Sequence, residues 1–125
     1  MKKYSDRTLN NLQGINPKLI IILATAIERG NVDFTVIDGL RTVEEQQEHF
    51  KNGKSKLDGI TRKSYHQTGN AIDFIPFPFD GNWNNVEQFQ RVGDELKKIA
   101  TEFGVECRYG GDWVNFRDYP HFEIR

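Results

Sequence analysis

The stretch from Val86 to Phe103 constrains the fold most. Val86, Phe89, Val92, Leu96, Ile99, Ala100 and Phe103 recur there at three- and four-residue spacing, and Gly104 follows. That period lays one apolar stripe along a long helix that the glycine ends, and such a stripe needs an apolar surface to cover. The remaining apolar alternations are short. Val32 to Ile37, Ala71 to Ile75, Val105 to Tyr109 and His121 to Ile124 each read as a strand. Asp38-Gly39 closes the first of these; Pro76 and Pro78, which cannot donate ladder hydrogen bonds, close the second. Two further helices carry their own punctuation. Asn16-Pro17 supplies a cap and first position for a helix to about Glu28, closed by Gly30. Thr42-Val43-Glu44-Glu45 has capping-box spacing, which starts a helix at Val43 running to about Lys51. A short helix is expected after Ser5, and residues 52 to 63, lacking a periodic apolar face, read as loop. The sum is an α+β fold: helices packed on a small, mainly antiparallel sheet.

A chain of 125 residues can bury one real core, but it is too short for a catalytic domain plus a separate binding module. One domain over 1–125 is therefore expected. A net charge of -1 gives no global pull toward nucleic acid or an anionic membrane, so neither is expected as a partner. The single cysteine, Cys107, excludes an internal disulfide and a multi-thiolate site, leaving His and carboxylate as ligands for any metal. Lys2 and Lys3 followed by the apolar run Leu19 to Ile27 superficially resemble a secretory signal. Ser5, Asp6, Arg7, Asn10, Asn11 and Gln13 lie between them, too polar and too long an interval, so the run reads as a core helix and no signal peptide is expected.

Of three histidines, two keep unusual company. His66 precedes Asp73 by seven positions with Gly69 between them, and a turn at that glycine would let the following strand aim the carboxylate back at the imidazole. The second cluster is Asp118-Tyr119-Pro120-His121. Two imidazoles and one carboxylate form a three-ligand zinc set with a fourth position left for water. Zinc lowers the pKa of water held there to ~7, and a carboxylate off the metal is then needed to move the proton to the leaving amine. Asp118 is the candidate for that role.

These segments resemble a known family. Ser64-Tyr65-His66-Gln67-Thr68-Gly69-Asn70-Ala71-Ile72-Asp73 is similar to the S-x-H-x-x-G-x-A-x-D motif of the zinc D-alanyl-D-alanine carboxypeptidases and L-alanyl-D-glutamate endopeptidases, and Asp118-Tyr119-Pro120-His121-Phe122-Glu123 to their second motif. Gly39-Leu40-Arg41-Thr42 with Gln46 resembles the family's G-x-R-[ST] segment, and Gly110-Gly111-Asp112-Trp113 its glycine-rich stretch. The likeness runs from about residue 34 to the C-terminus. It implies a hedgehog/D-Ala-D-Ala-peptidase-like fold, one zinc ion on His66, Asp73 and His121, and proton transfer by Asp118. Arg41 would face the substrate, stabilising developing oxyanion charge or holding a carboxylate, with Ser64, Gln46 and Trp113 as further substrate contacts. The carboxypeptidases resembled usually carry Glu where Asp118 stands, so the aspartate points to the phage endolysin branch, which cuts between L-alanine and D-glutamate in peptidoglycan stem peptides. Tyr109 departs from the Trp of many relatives.

The expected protein is thus a monomeric endolysin, made in the host cytoplasm and reaching the wall through a holin-formed hole. A D-alanyl-D-alanine carboxypeptidase is the alternative within the chemistry; an inactive zinc-stabilised wall-binding module is the alternative outside it. Alternation along His121-Phe122-Glu123 puts Glu123 on the side of His121, where it can orient an imidazole. His49, among Glu44, Glu45 and Glu48, reads as part of a solvated helical face. Asp112 reads as a turn residue capping backbone amides, behind Asp118 as a base. Trp83, Trp113 and the Phe77/Phe79 pair read as packing before sugar-stacking platforms.

Overall fold

Helix ends in this chain are set by side-chain chemistry written into the sequence. The computed structural model describes residues 6–40, 42–53, 68–114 and 117–125. Helix α1 spans Asp6–Asn11. Helix α2, Pro17–Arg29, is capped by Asn16, whose side chain accepts from the Lys18 amide, and stops at Gly30 in the left-handed conformation, φ 71°. Strand β1 is Phe34–Asp38. Helix α3, Val43–Lys51, carries the full capping box: Thr42 accepts from the Glu45 amide while Glu45 accepts from the Thr42 amide. Strand β2 is Ala71–Pro76, helix α4 Val86–Glu102 and strand β3 Cys107–Tyr109. A 3-10 turn at Gly110–Asp112 and strand β4, His121–Ile124, complete the chain.

The four strands form one antiparallel sheet in the order β1-β2-β4-β3. Helices α2 and α4 pack together above it, and Phe74 is the hub beneath them. Its ring meets Phe34, Phe89 and Tyr109 at 6.1–6.2 Å between centroids. Ile72, Phe74, Phe122 and Ile124 all belong to this core. Strand alternation then puts Asp73, His121 and Glu123 on the opposite face. No helix among the described residues is long and apolar enough to cross a membrane.

The α+β architecture expected from the sequence is the one observed; differences lie at element ends. Strand β1 begins at Phe34 rather than Val32, since the Asp33 carboxylate accepts from the Phe34 amide and the ladder starts only where Phe34 meets Pro76. Strand β3 begins at Cys107 rather than Val105, because the Val105 amide is taken by the Ala100 carbonyl in closing α4. Phe103 caps α4 instead of belonging to it, and the stripe's two ends, Val86 and Phe103, stay exposed. Asp112 does not cap its turn. Its carboxylate pairs with Lys97 on α4 at 2.5 Å and accepts from Gln90.

Candidate metal centre

Antiparallel register makes Asp73 on β2 and His121 on β4 direct cross-strand partners. Side chains so placed have Cβ atoms only ~4.5–5.5 Å apart, which is how residues forty-eight positions apart come to share a site. Asp118 arrives by the turn that opens β4: the His121 amide donates to the Asp118 carbonyl at 3.0 Å, and the Asp118 amide donates to the Gly110 carbonyl at 3.0 Å. Ligand atoms of Asp73, Asp118 and His121 all lie within 4.8 Å of one another, a grouping that can hold a metal ion.

Two glycines make this approach possible. A Cβ on Gly110 would stand 2.1 Å from the Asp118 carbonyl oxygen, so only glycine lets the 3-10 turn lie against the segment carrying the carboxylate. Gly69 adopts φ +77°, as the turn ahead of β2 requires, and its carbonyl accepts from the Asn16 amide at 2.9 Å. The start of β2 is thereby tied to the α2 cap.

His121 is the best-surrounded group of the site. Its Nε2 lies 2.7 Å from Glu123 Oε1 and its Nδ1 3.4 Å from Asp73 Oδ1. Burial by itself lowers the imidazole's pKa. Contacts with Asp73 and Glu123, together with the charges of Asp73 and Asp118, outweigh it and push the pKa up to about 9. The Trp113 ring covers the imidazole at 5.2 Å between centroids, tilted by 44°.

The structure thus brings together Asp73, Asp118, His121, Glu123 and Trp113. Gln46 is wholly buried, so its amide is an internal hydrogen-bonding group without a surface to offer a ligand. His66, Arg41 and Ser64 lie outside the described residues, as does the side chain of His49. Sequence reasoning passed over Asp38, which stands in register with Asp73 on the other side, across an irregularity between Val36 and Asp38. An extra residue in a strand re-aims the side chains beyond it, and no local pattern announces that. Tyr109 is a core residue, 1% exposed, filling space left by Gly93 and Gly111 rather than lining a cleft.

A family model described as phage L-alanyl-D-glutamate peptidase matches residues 1–124. The L-alanyl-D-glutamate peptidase of Escherichia phage T5 is 35% identical over 125 residues, covering 98% of this chain and 89% of that protein. Among solved structures, the Serratia marcescens L-Ala D-Glu endopeptidase ChiX superposes with a TM-score of 0.83 at 28% identity, over 98% of this chain and 89% of its own. A vancomycin-resistance D,D-pentapeptidase, VanY, solved in complex with Zn(II), shares the fold with a TM-score of 0.62 at 16% identity, over 99% of this chain and 78% of its own.

Proposed function

The chain belongs to the phage L-alanyl-D-glutamate peptidase family, and from that premise we propose that it hydrolyses the L-Ala–D-Glu bond of peptidoglycan stem peptides with one zinc ion held by His66, Asp73 and His121. The observation that carries this reading is the convergence of Asp73, Asp118 and His121 at the mouth of one antiparallel ladder. The donor set fits zinc. It offers nitrogen and oxygen without thiolate, and the contact of His121 Nε2 with Glu123 leaves Nδ1 as the nitrogen facing Asp73.

Bound there, zinc would supply a Lewis acid for the scissile carbonyl and acidify the attacking water. Asp118, half-buried and supported by Gly110, takes the proton and delivers it to the leaving amine of D-glutamate. Glu123 accepts from His121 Nε2–H, which fixes the tautomer and aims the ring. Trp113 screens one side of the imidazole from water. Arg41 and Ser64 are assigned to the substrate: the guanidinium suits an oxyanion or a stem-peptide carboxylate.

In this reading residues 1–125 act as one catalytic domain, as a monomer. The protein is synthesised in the host cytoplasm and acts on the wall after holin-type release.

Purified protein loaded with zinc and incubated with sacculi is expected to release fragments with new N-terminal glutamate, read by mass spectrometry. Free D-alanine instead would identify a D-alanyl-D-alanine carboxypeptidase. Absence of any cleavage with zinc stoichiometrically bound would identify a wall-binding module. Asp118→Ala is expected to keep zinc and lose ~10²–10⁴-fold in turnover; undiminished turnover would remove Asp118 from the reaction.

A further inference from the structure

A second concave site lies at the other end of β2. Gly30 to Asp33, Pro76 to Pro78, and Gln88, Arg91 and Val92 of α4 enclose a cavity of about 330 Å³, a size in the range of small-ligand sites. Pro76 is three residues beyond Asp73, roughly 10 Å along the strand, and the α4 residues put the cavity on the helix side of the sheet, away from the metal ligands.

Two features of its lining ask for a partner. Arg91 is exposed and has no ion pair among the described residues. Phe77 turns 60% of its surface to solvent between two prolines.

Charge selects the class of ligand. Asp33 and Arg91 are the charged members of the lining and balance each other, so an anion gains little here. A guanidinium with five N–H groups and an open aromatic face between prolines match an uncharged ligand that is polar at its rim and apolar on its flat faces.

We infer that this groove is a glycan subsite, taking an N-acetylated hexosamine of the wall polymer. The sugar ring stacks on Phe77, and Arg91 donates to ring hydroxyls or the acetyl carbonyl. The inference rests on the reading of the cell wall as substrate: it gives the catalytic domain a grip on the strand that carries its stem peptides.

The test titrates ¹⁵N-labelled, zinc-loaded protein with the N-acetylglucosamine tetramer and, separately, with a glycan-free stem tetrapeptide. The tetramer is expected to shift the amides of Phe77, Gln88, Arg91 and Val92, and Phe77→Ala/Arg91→Ala to abolish those shifts. Both replaced side chains are surface groups, and retained thermal unfolding of the double variant confirms its fold. The same variant is expected to lose roughly three- to tenfold in turnover of sacculi while cleaving the glycan-free peptide at the wild-type rate. Shifts produced by the tetrapeptide instead would make the groove a peptide subsite and overturn the inference, as would no shift with the tetramer, or equal losses on both substrates. The titration needs no catalysis, so tetramer binding by a protein that cleaves neither substrate would sink the peptidase reading alone.

Discussion

Replacing Gly110 with alanine tests whether the site depends on the close contact between the 3-10 turn and the Asp118 segment. The added Cβ would lie 2.1 Å from the Asp118 carbonyl oxygen and 3.0 Å from its Cβ. A carbon and a carbonyl oxygen approach no closer than ~3.3–3.6 Å in ordinary contact, so the two segments must part by more than roughly 1 Å. That displacement acts directly on Asp118, whose amide is bonded to the Gly110 carbonyl and whose carbonyl accepts from the His121 amide. Misplacing a catalytic group by about 1 Å costs ~10²-fold in rate, or ~2.7 kcal/mol of transition-state stabilisation. Overpacking adds a stability cost of ~1–3 kcal/mol. Asp73 and His121 stand on paired strands, so zinc is expected to remain bound. The assay is kcat/KM on sacculi or a stem peptide, with zinc content and thermal unfolding measured on the same preparation. A variant that holds zinc, unfolds within a few degrees of wild type and loses about a hundredfold in kcat/KM agrees with the reasoning. Activity within threefold of wild type would refute it, since the turn would then have moved without consequence for Asp118.

Removing the carboxylate in Glu123→Ala, which leaves His121 Nε2 without its 2.7 Å partner, is expected to weaken zinc binding ~10–100-fold by chelator competition; unchanged affinity would show that the glutamate does not orient the ring. The metal-free protein has a signed pH dependence. Because the folded pKa of His121 is raised to about 9 from 6.5, its protonation stabilises the metal-free fold fully below pH 6.5, and that contribution of about 3 kcal/mol fades as pH rises through 9. Zinc competes for the same imidazole, so its apparent affinity is expected to rise about tenfold between pH 7 and 8, and a flat profile there would count against the assignment of His121. Tyr109→Phe is expected to leave thermal stability unchanged or raise it, because the Tyr109 hydroxyl is buried without a hydrogen-bond partner among the described residues; a loss above ~1 kcal/mol would reveal a partner.

The features legible in the sequence came from local chemistry. The Thr42/Glu45 capping box, the Asn16 cap and the glycine after α2 each act within a few residues, and each appears where its spacing put it. Two-residue alternation was enough to place Glu123 beside His121, because strand geometry carries that relation without help from the rest of the fold. Relations across strands were not legible in this way. Nothing in residues 32–38 announces that Asp38 will stand opposite Asp73, since the register depends on how β1 docks on β2 and on the irregularity that shifts it. Asp112 looked like a turn-capping residue because local rules see only its own turn, whereas Lys97, fifteen positions back on α4, offers a full charge and takes it. The same distinction explains Gly110. Its φ lies outside the left-handed region that glycine alone favours, so its necessity rests on a carbonyl eight residues later, which becomes a neighbour only once the chain has folded around the site. In this molecule, therefore, helix ends and strand faces are encoded next to where they appear. The candidate metal centre is encoded in pairs of distant segments, recognisable together only because both halves of the motif survive in one chain.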